Sequence, residues 1–189
     1  VDESGLTMGG NGTAGNGENA LNIEGTTKVA IDSSLDADTL FSVSAGADGL
    51  KSEVYALSIE DGKASTGQYA LIDGGEYAIT LEKSGDNIIG VAEVDGKDVT
   101  VFTVRVASDG TITLTQHDGA SIKHPVPEEG TEETAEAHDN VVSISGVQVT
   151  KIVTDNDGDK ASATAAFTLN FEDDGPTISA TGTGSLSVD

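Results

Sequence analysis

A short acidic segment, DNDGDK, has the residue types and the spacing of a cation site. Its aspartates Asp155, Asp157 and Asp159 alternate along the chain, so a tight turn can direct all three carboxylates inward. Calcium favours such ligands and binds about six to eight oxygen atoms. The spacing is similar to the first half of an EF-hand loop, but Lys160 replaces the required glycine and Ala166 the bidentate glutamate. The segment therefore predicts a calcium-binding β-hairpin loop and not an EF-hand.

A second acidic segment, FEDDGP, ends the next predicted strand and contributes Asp173 and Asp174 as further candidate ligands. Other aspartates stand at predicted turns, where carboxylates and carbonyl groups can share a cation. Aspartate at such positions also stabilises turns without any metal. The weaker candidate calcium ligands are Asp36, Asp38, Asp95, Asp98 and Asp109. We expect several calcium ions in the protein, with no catalytic residue among these aspartates.

The composition excludes several other functions. Thirty-three acidic residues against nine basic ones give a net charge of -24, which opposes nucleic acid and anionic membranes. Cysteine is absent, so disulfides, thiolate metal sites and cysteine nucleophiles are excluded. No apolar run reaches the roughly 18 residues that a membrane-spanning helix needs. We expect an extracellular protein whose acidic groups bind cations.

The elements that must position these aspartates are β-strands. Apolar residues recur at every second position in many segments, separated by Asp-Gly and similar turns. The predicted strands cover residues 53–59, 69–72, 76–81, 87–94, 100–106, 111–115, 147–153 and 161–171. No segment has a comparable helical pattern. The predicted fold class is all-β: a calcium-stabilised antiparallel β-sandwich with acidic loops at its ends.

Two segments carry no strand pattern. Residues 1–20 are predicted to be linker-like, because the stretch from Gly9 to Ala20 is of low complexity. A glycine-rich calcium roll is not predicted there, because Ala14 stands where the roll needs its aspartate. The stretch from Glu128 to His138 combines many like charges with no amphipathic stripe. It predicts an acidic surface loop that contains at most one helical turn.

Several motifs identify a family. The sequence TITLTQHDGASIKHP is followed by TDNDGDKASATAAF and then by FEDDGPTI. This order resembles the repeat and ligand-binding domains of giant RTX adhesins, which Gram-negative bacteria export by type I secretion. The DUF5801-type domain and the type I secretion repeat are the most similar. The resemblance extends from about residue 54 to residue 178, and the acidic stretch 128–139 departs from it.

The resemblance implies that residues 1–189 are one β-sandwich module of a longer multidomain adhesin on the bacterial surface. Some adhesin domains of this kind bind a short peptide by its free carboxylate with the help of calcium. The partner would then be a peptide or a protein C-terminus on a host or neighbouring cell, and the module a monomer within a long chain. No nucleic acid and no membrane insertion are expected.

Two other functions remain open at this point. One is a calcium-rigidified structural extender that has no ligand of its own. The other is a carbohydrate-binding module, which would need exposed aromatic residues, whereas most aromatics here fall on core-facing positions. An enzyme is not expected, because the three histidines lack an HExxH spacing and no GxSxG motif is present.

Overall fold

The computed structural model of the chain describes residues 19–22, 29–125 and 141–172. Within these ranges it consists of eleven β-strands and one short 3-10 helix, Ala37–Leu40. The strands are β1 Asn19–Asn22, β2 Val29–Asp36, β3 Leu50–Ile59, β4 Ser65–Ile72, β5 Gly75–Ser84, β6 Asn87–Val94, β7 Lys97–Val106, β8 Thr111–His117, β9 Ser121–Ile122, β10 Val141–Asp155 and β11 Lys160–Glu172. No helix in the same ranges has the length and apolar character to cross a membrane.

Each strand predicted from the sequence lies within an observed strand, so the all-β prediction is confirmed. The predicted linker 1–20 lies outside the described residues up to residue 18, and its last two residues begin β1. The predicted acidic loop from Glu128 to His138 also lies outside the described part of the chain.

The strands form two antiparallel sheets. The larger has eight strands in the order β1-β2-β8-β7-β6-β5-β4-β9, and the smaller has three in the order β11-β10-β3. Tight turns connect the hairpins of the larger sheet. In the turn between β6 and β7, Asp95 and Gly96 have φ angles of 51° and 74°. Positive φ at both central residues matches the right-handed twist of the two strands, and Asp-Gly suits this conformation.

The core lies between the facing sides of the two sheets. Phe102 on β7 and Phe171 on β11 are completely buried, and their ring centroids lie 5.2 Å apart. Aliphatic residues surround this pair, including Leu57 on β3 and Val149 on β10. The alternation seen in the sequence therefore has a direct cause, because successive side chains of a strand point to opposite faces of its sheet and one face packs against the other sheet.

Gly90 shows how closely this core is packed. It lies directly opposite Phe102 in the pairing of β6 with β7, and the Phe102 ring covers it. A Cβ atom added at Gly90 would overlap three carbon atoms of that ring. The glycine is therefore required by a side chain of the core and not by a turn.

Gly90→Ala should lower the free energy of unfolding by about 1–3 kcal/mol, because the added methyl group overpacks the core. Urea denaturation followed by circular dichroism measures this change. In the double variant Gly90→Ala/Phe102→Leu the smaller side chain leaves room for the methyl group. The free energy of unfolding that the double variant loses should be smaller than the sum of the losses in the two single variants. Additive losses would show that the overlap does not determine the effect.

Candidate functional site

Two loops that are distant in the sequence meet at one end of the three-stranded sheet. Leu50, the first residue of β3, lies opposite Asp155, the last residue of β10. The turn that precedes β3 therefore lies beside the acidic loop that follows β10. Asn156 joins them: its side-chain amide donates to the carbonyl of Asp48 at 2.6 Å, and its backbone N–H donates to the carbonyl of Gly49 at 3.2 Å.

Three carboxylates converge where these loops meet. One carboxylate oxygen from each of Asp48, Asp155 and Asp157 lies within 4.8 Å of the other two. Calcium–oxygen bonds are about 2.3–2.6 Å long, so two oxygens on one ion are at most about 5 Å apart. These three residues, which we call the aspartate cluster, thus present three of the six to eight oxygen ligands of a calcium ion at a spacing that one ion can span.

The acidic loop also stabilises its own negative charge. Asp155 accepts hydrogen bonds from the backbone N–H groups of Gly158, at 3.0 Å, and Asp159, at 2.8 Å. A side-chain hydrogen bond with Asp157 is the largest cause that lowers the pKa of Asp155, and the backbone donors lower it further, while burial acts in the opposite direction. No lysine or arginine in the described ranges forms an ion pair with the cluster. The carboxylates therefore remain available to a cation.

Two of the three predicted ligands of the acidic loop come together in the structure, and the third does not. Asp155 and Asp157 belong to the aspartate cluster, whereas the carboxylate of Asp159 does not. Asp159 contributes its backbone N–H, which donates to Asp155 and, at 3.4 Å, to Asp157. Asp173 and Asp174 lie outside the described residues. Asp48 was missed by sequence reasoning, and its only signal was an Asp-Gly pair a few residues before the predicted strand 53–59.

Four of the weaker candidates lie at separate positions. Asp36 caps the 3-10 helix by accepting the N–H of Asp38 at 2.9 Å. Asp109 accepts the N–H of Thr111 at 2.9 Å, and this bond lowers its pKa. Asp95 occupies the turn between β6 and β7, and Asp98 lies exposed on β7. The structure brings none of these four into a group of three acidic residues within the described part of the chain.

The remaining candidate, Asp38, binds a buried lysine. Lys151 on β10 is only 5% exposed, and its Nζ lies 2.7 Å from a carboxylate oxygen of Asp38 and 2.7 Å from one of Glu53. The Tyr55 hydroxyl also donates to Asp38. Because hydrogen bonds to these groups offset the cost of burial, the pKa of Lys151 is raised and that of Asp38 is lowered. This network attaches the segment that follows β2 to the three-stranded sheet.

A groove separates this attached segment from strands β10 and β11. It has two adjoining parts of about 190 and 140 Å³, which share Ser44, Val153 and Ala161 as lining residues. The larger part is lined mainly by small and apolar residues and by Lys151. The smaller part reaches Asp155, so the aspartate cluster lies at one end of the groove.

The fold and the site together define an all-β module of two packed antiparallel sheets with an acidic cluster beside a groove. The sequence matches the model of a domain family of unknown function, DUF5801, over residues 1–178. The chain therefore belongs to this family, as its motifs predict. No curated protein matches the chain, and no solved structure does.

Replacing Lys151 by methionine should lower the melting temperature at pH 7, because Asp38 and Glu53 lose their charged donor. The pKa of Asp38 is lowered in the folded protein. The stability that its ion pair contributes is therefore complete above the ordinary aspartate pKa of 3.8 and is lost as the pH falls through the lower pKa of the folded state. The difference between wild type and Lys151→Met should therefore shrink below about pH 4. Thermal melts from pH 2 to 7 measure it.

The matched control is Lys97→Met, which removes an exposed lysine at the start of β7. Its melting temperature should follow that of the wild type at every pH, because exposed charges contribute little to stability. A constant difference between wild type and Lys151→Met over the whole pH range would contradict the assigned ion pair.

Proposed function

We propose that the chain is a calcium-dependent peptide-binding module of a secreted RTX adhesin that attaches a bacterium to other cells. The observation that supports this proposal is the position of the aspartate cluster. Three carboxylate oxygens within 4.8 Å of one another lie at the end of a groove of apolar and small residues. A site of this kind combines a cation position with a surface that can hold an uncharged side chain.

The charge of the protein explains why a cation would take part in binding. A net charge of -24 repels any anionic ligand, including the free carboxylate of a peptide. Lys151 lines the groove, but Asp38 and Glu53 already neutralise it. Calcium held by the aspartate cluster would supply the positive charge that a terminal carboxylate needs. The groove beside it would hold the side chains that precede the carboxylate.

A structural extender is the second candidate. The hydrogen bonds of Asn156 already join the turn before β3 to the loop after β10. A calcium ion whose coordination positions are all filled by protein atoms would fix the two loops further and bind no ligand. The two candidates share the metal site and differ in whether a ligand completes it.

Calorimetric titration with calcium chloride tests the metal site. Extracellular calcium modules bind with dissociation constants of about 10⁻⁴ to 10⁻³ M, and we expect the same range here. Asp157→Asn should weaken binding at this site at least about tenfold, because one charged ligand is lost. Asp86→Asn, in the exposed turn between β5 and β6, should bind as the wild type does. Equal affinity in both variants would exclude the aspartate cluster as a calcium site.

A second titration separates a binding module from an extender. Short peptides with free and with amidated C-termini are added in calcium and again in EDTA. A peptide-binding module should bind only the free carboxylate and only in calcium. An extender should bind neither peptide, although it still binds the metal. Peptide binding that is unaffected by amidation of the C-terminus and by EDTA would contradict the proposed role of calcium.

A further inference from the structure

Among the described strands, β11 stands at the edge of the three-stranded sheet and is suited to pair with another strand. It pairs with β10 on one side, and no described strand pairs with its other side. It is thirteen residues long, and its only charged side chains are those of its first and last residues, Lys160 and Glu172. Proteins usually protect such an edge with internal charges, prolines or bulges. The interior of β11 contains neither charges nor prolines.

The groove lies beside the first four residues of β11, Lys160 to Ala163. Ala161 and Ala163 on β11 lie opposite Val153 and Lys151 on β10, and their side chains share the groove-lining face of the sheet. Lys151 is buried, whereas both alanines are exposed. The segment that lines the other wall of the groove therefore covers β10 and leaves β11 accessible. A strand added beside β11 would direct every second side chain towards this opening.

The direction of β11 determines the orientation of an added strand. β11 begins at Lys160, next to the acidic loop, so an antiparallel peptide would end beside Lys160. The ammonium group of Lys160 is exposed and forms no ion pair with a described residue. In the proposed site it would add to the positive charge that calcium supplies to a terminal carboxylate. A second copy of the chain is a poorer occupant, because each copy would bring a charge of -24.

We propose that β11 binds an extended peptide by antiparallel β-strand addition, with the C-terminal carboxylate beside Lys160 and every second side chain in the groove. Main-chain hydrogen bonds to the β11 edge would supply affinity, and the groove would select small aliphatic side chains. This inference rests on the proposed peptide-binding function and specifies its recognition mode. The ligand class is then an uncapped C-terminal segment with aliphatic residues at alternate positions.

Amide hydrogen exchange measured by NMR tests this mode. The probes are two acetylated hexapeptides with free C-termini, Thr-Val-Thr-Val-Thr-Val and Val-Thr-Val-Thr-Val-Thr, in millimolar calcium. One of them should bind at least about fivefold more tightly, because the fixed carboxylate places valine in the groove in only one register. It should slow exchange at alternate amides within 161–167 at least about tenfold. The outer edge of β3, which pairs with no described strand, serves as the internal control and should not change.

Two variants give an independent test. Ala163→Glu places a carboxylate in the groove and should weaken binding of the higher-affinity peptide at least about tenfold. Ala166→Glu places the same charge on the opposite face of β11, where it should have little effect. Peptide binding without alternating protection of β11, or equal loss in both variants, would overturn strand addition and leave the proposed function intact. No binding of either peptide at millimolar concentration would overturn both.

Discussion

The antiparallel pairing of β3 with β10 is the constraint on which the rest of the site depends. Its register sets Leu50 beside Asp155 and so brings the turn before β3 to the acidic loop. The same register sets Tyr55 opposite Lys151, with Glu53 two residues away on the same face. A shift of β3 by one residue would move Glu53 and Tyr55 to the other face of the sheet. The aspartate cluster and the lysine network are therefore consequences of one strand pairing.

The site accommodates its excess of negative charge in two different ways. In the first, the protein supplies the cation itself: Lys151 is buried between Asp38 and Glu53, and this ion pair fixes one wall of the groove. In the second, three carboxylates converge without a basic side chain in the described ranges, although mutual repulsion opposes such an arrangement. The first arrangement is complete as it stands, whereas the second would gain stability from the divalent cation that we propose.

The sequence predicted the strands well and the site only in part, for physical reasons. Alternation reports which residues face a core, so β3 to β8, β10 and β11 could all be found. A two-residue strand such as β9 is too short for a pattern. Asp155 and Asp157 were found because they lie two positions apart in one acidic segment. Asp48 was not found, because 108 residues separate it from Asn156 and only the pairing of β3 with β10 brings the two loops together. Asp36 caps the 3-10 helix, Asp38 lies within it and Asp109 lies in a turn. At such positions a carboxylate that binds amides or a lysine has the same local sequence as a metal ligand.

Calcium in the aspartate cluster is the part of the proposal on which the rest depends. Crystals grown in millimolar calcium chloride, with anomalous diffraction recorded at a long wavelength, would locate the ion. We expect an anomalous peak at about 2.3–2.6 Å from carboxylate oxygens of Asp48, Asp155 and Asp157. A map with no peak there, in which the three carboxylates have moved apart to bind water or lysine, would contradict it.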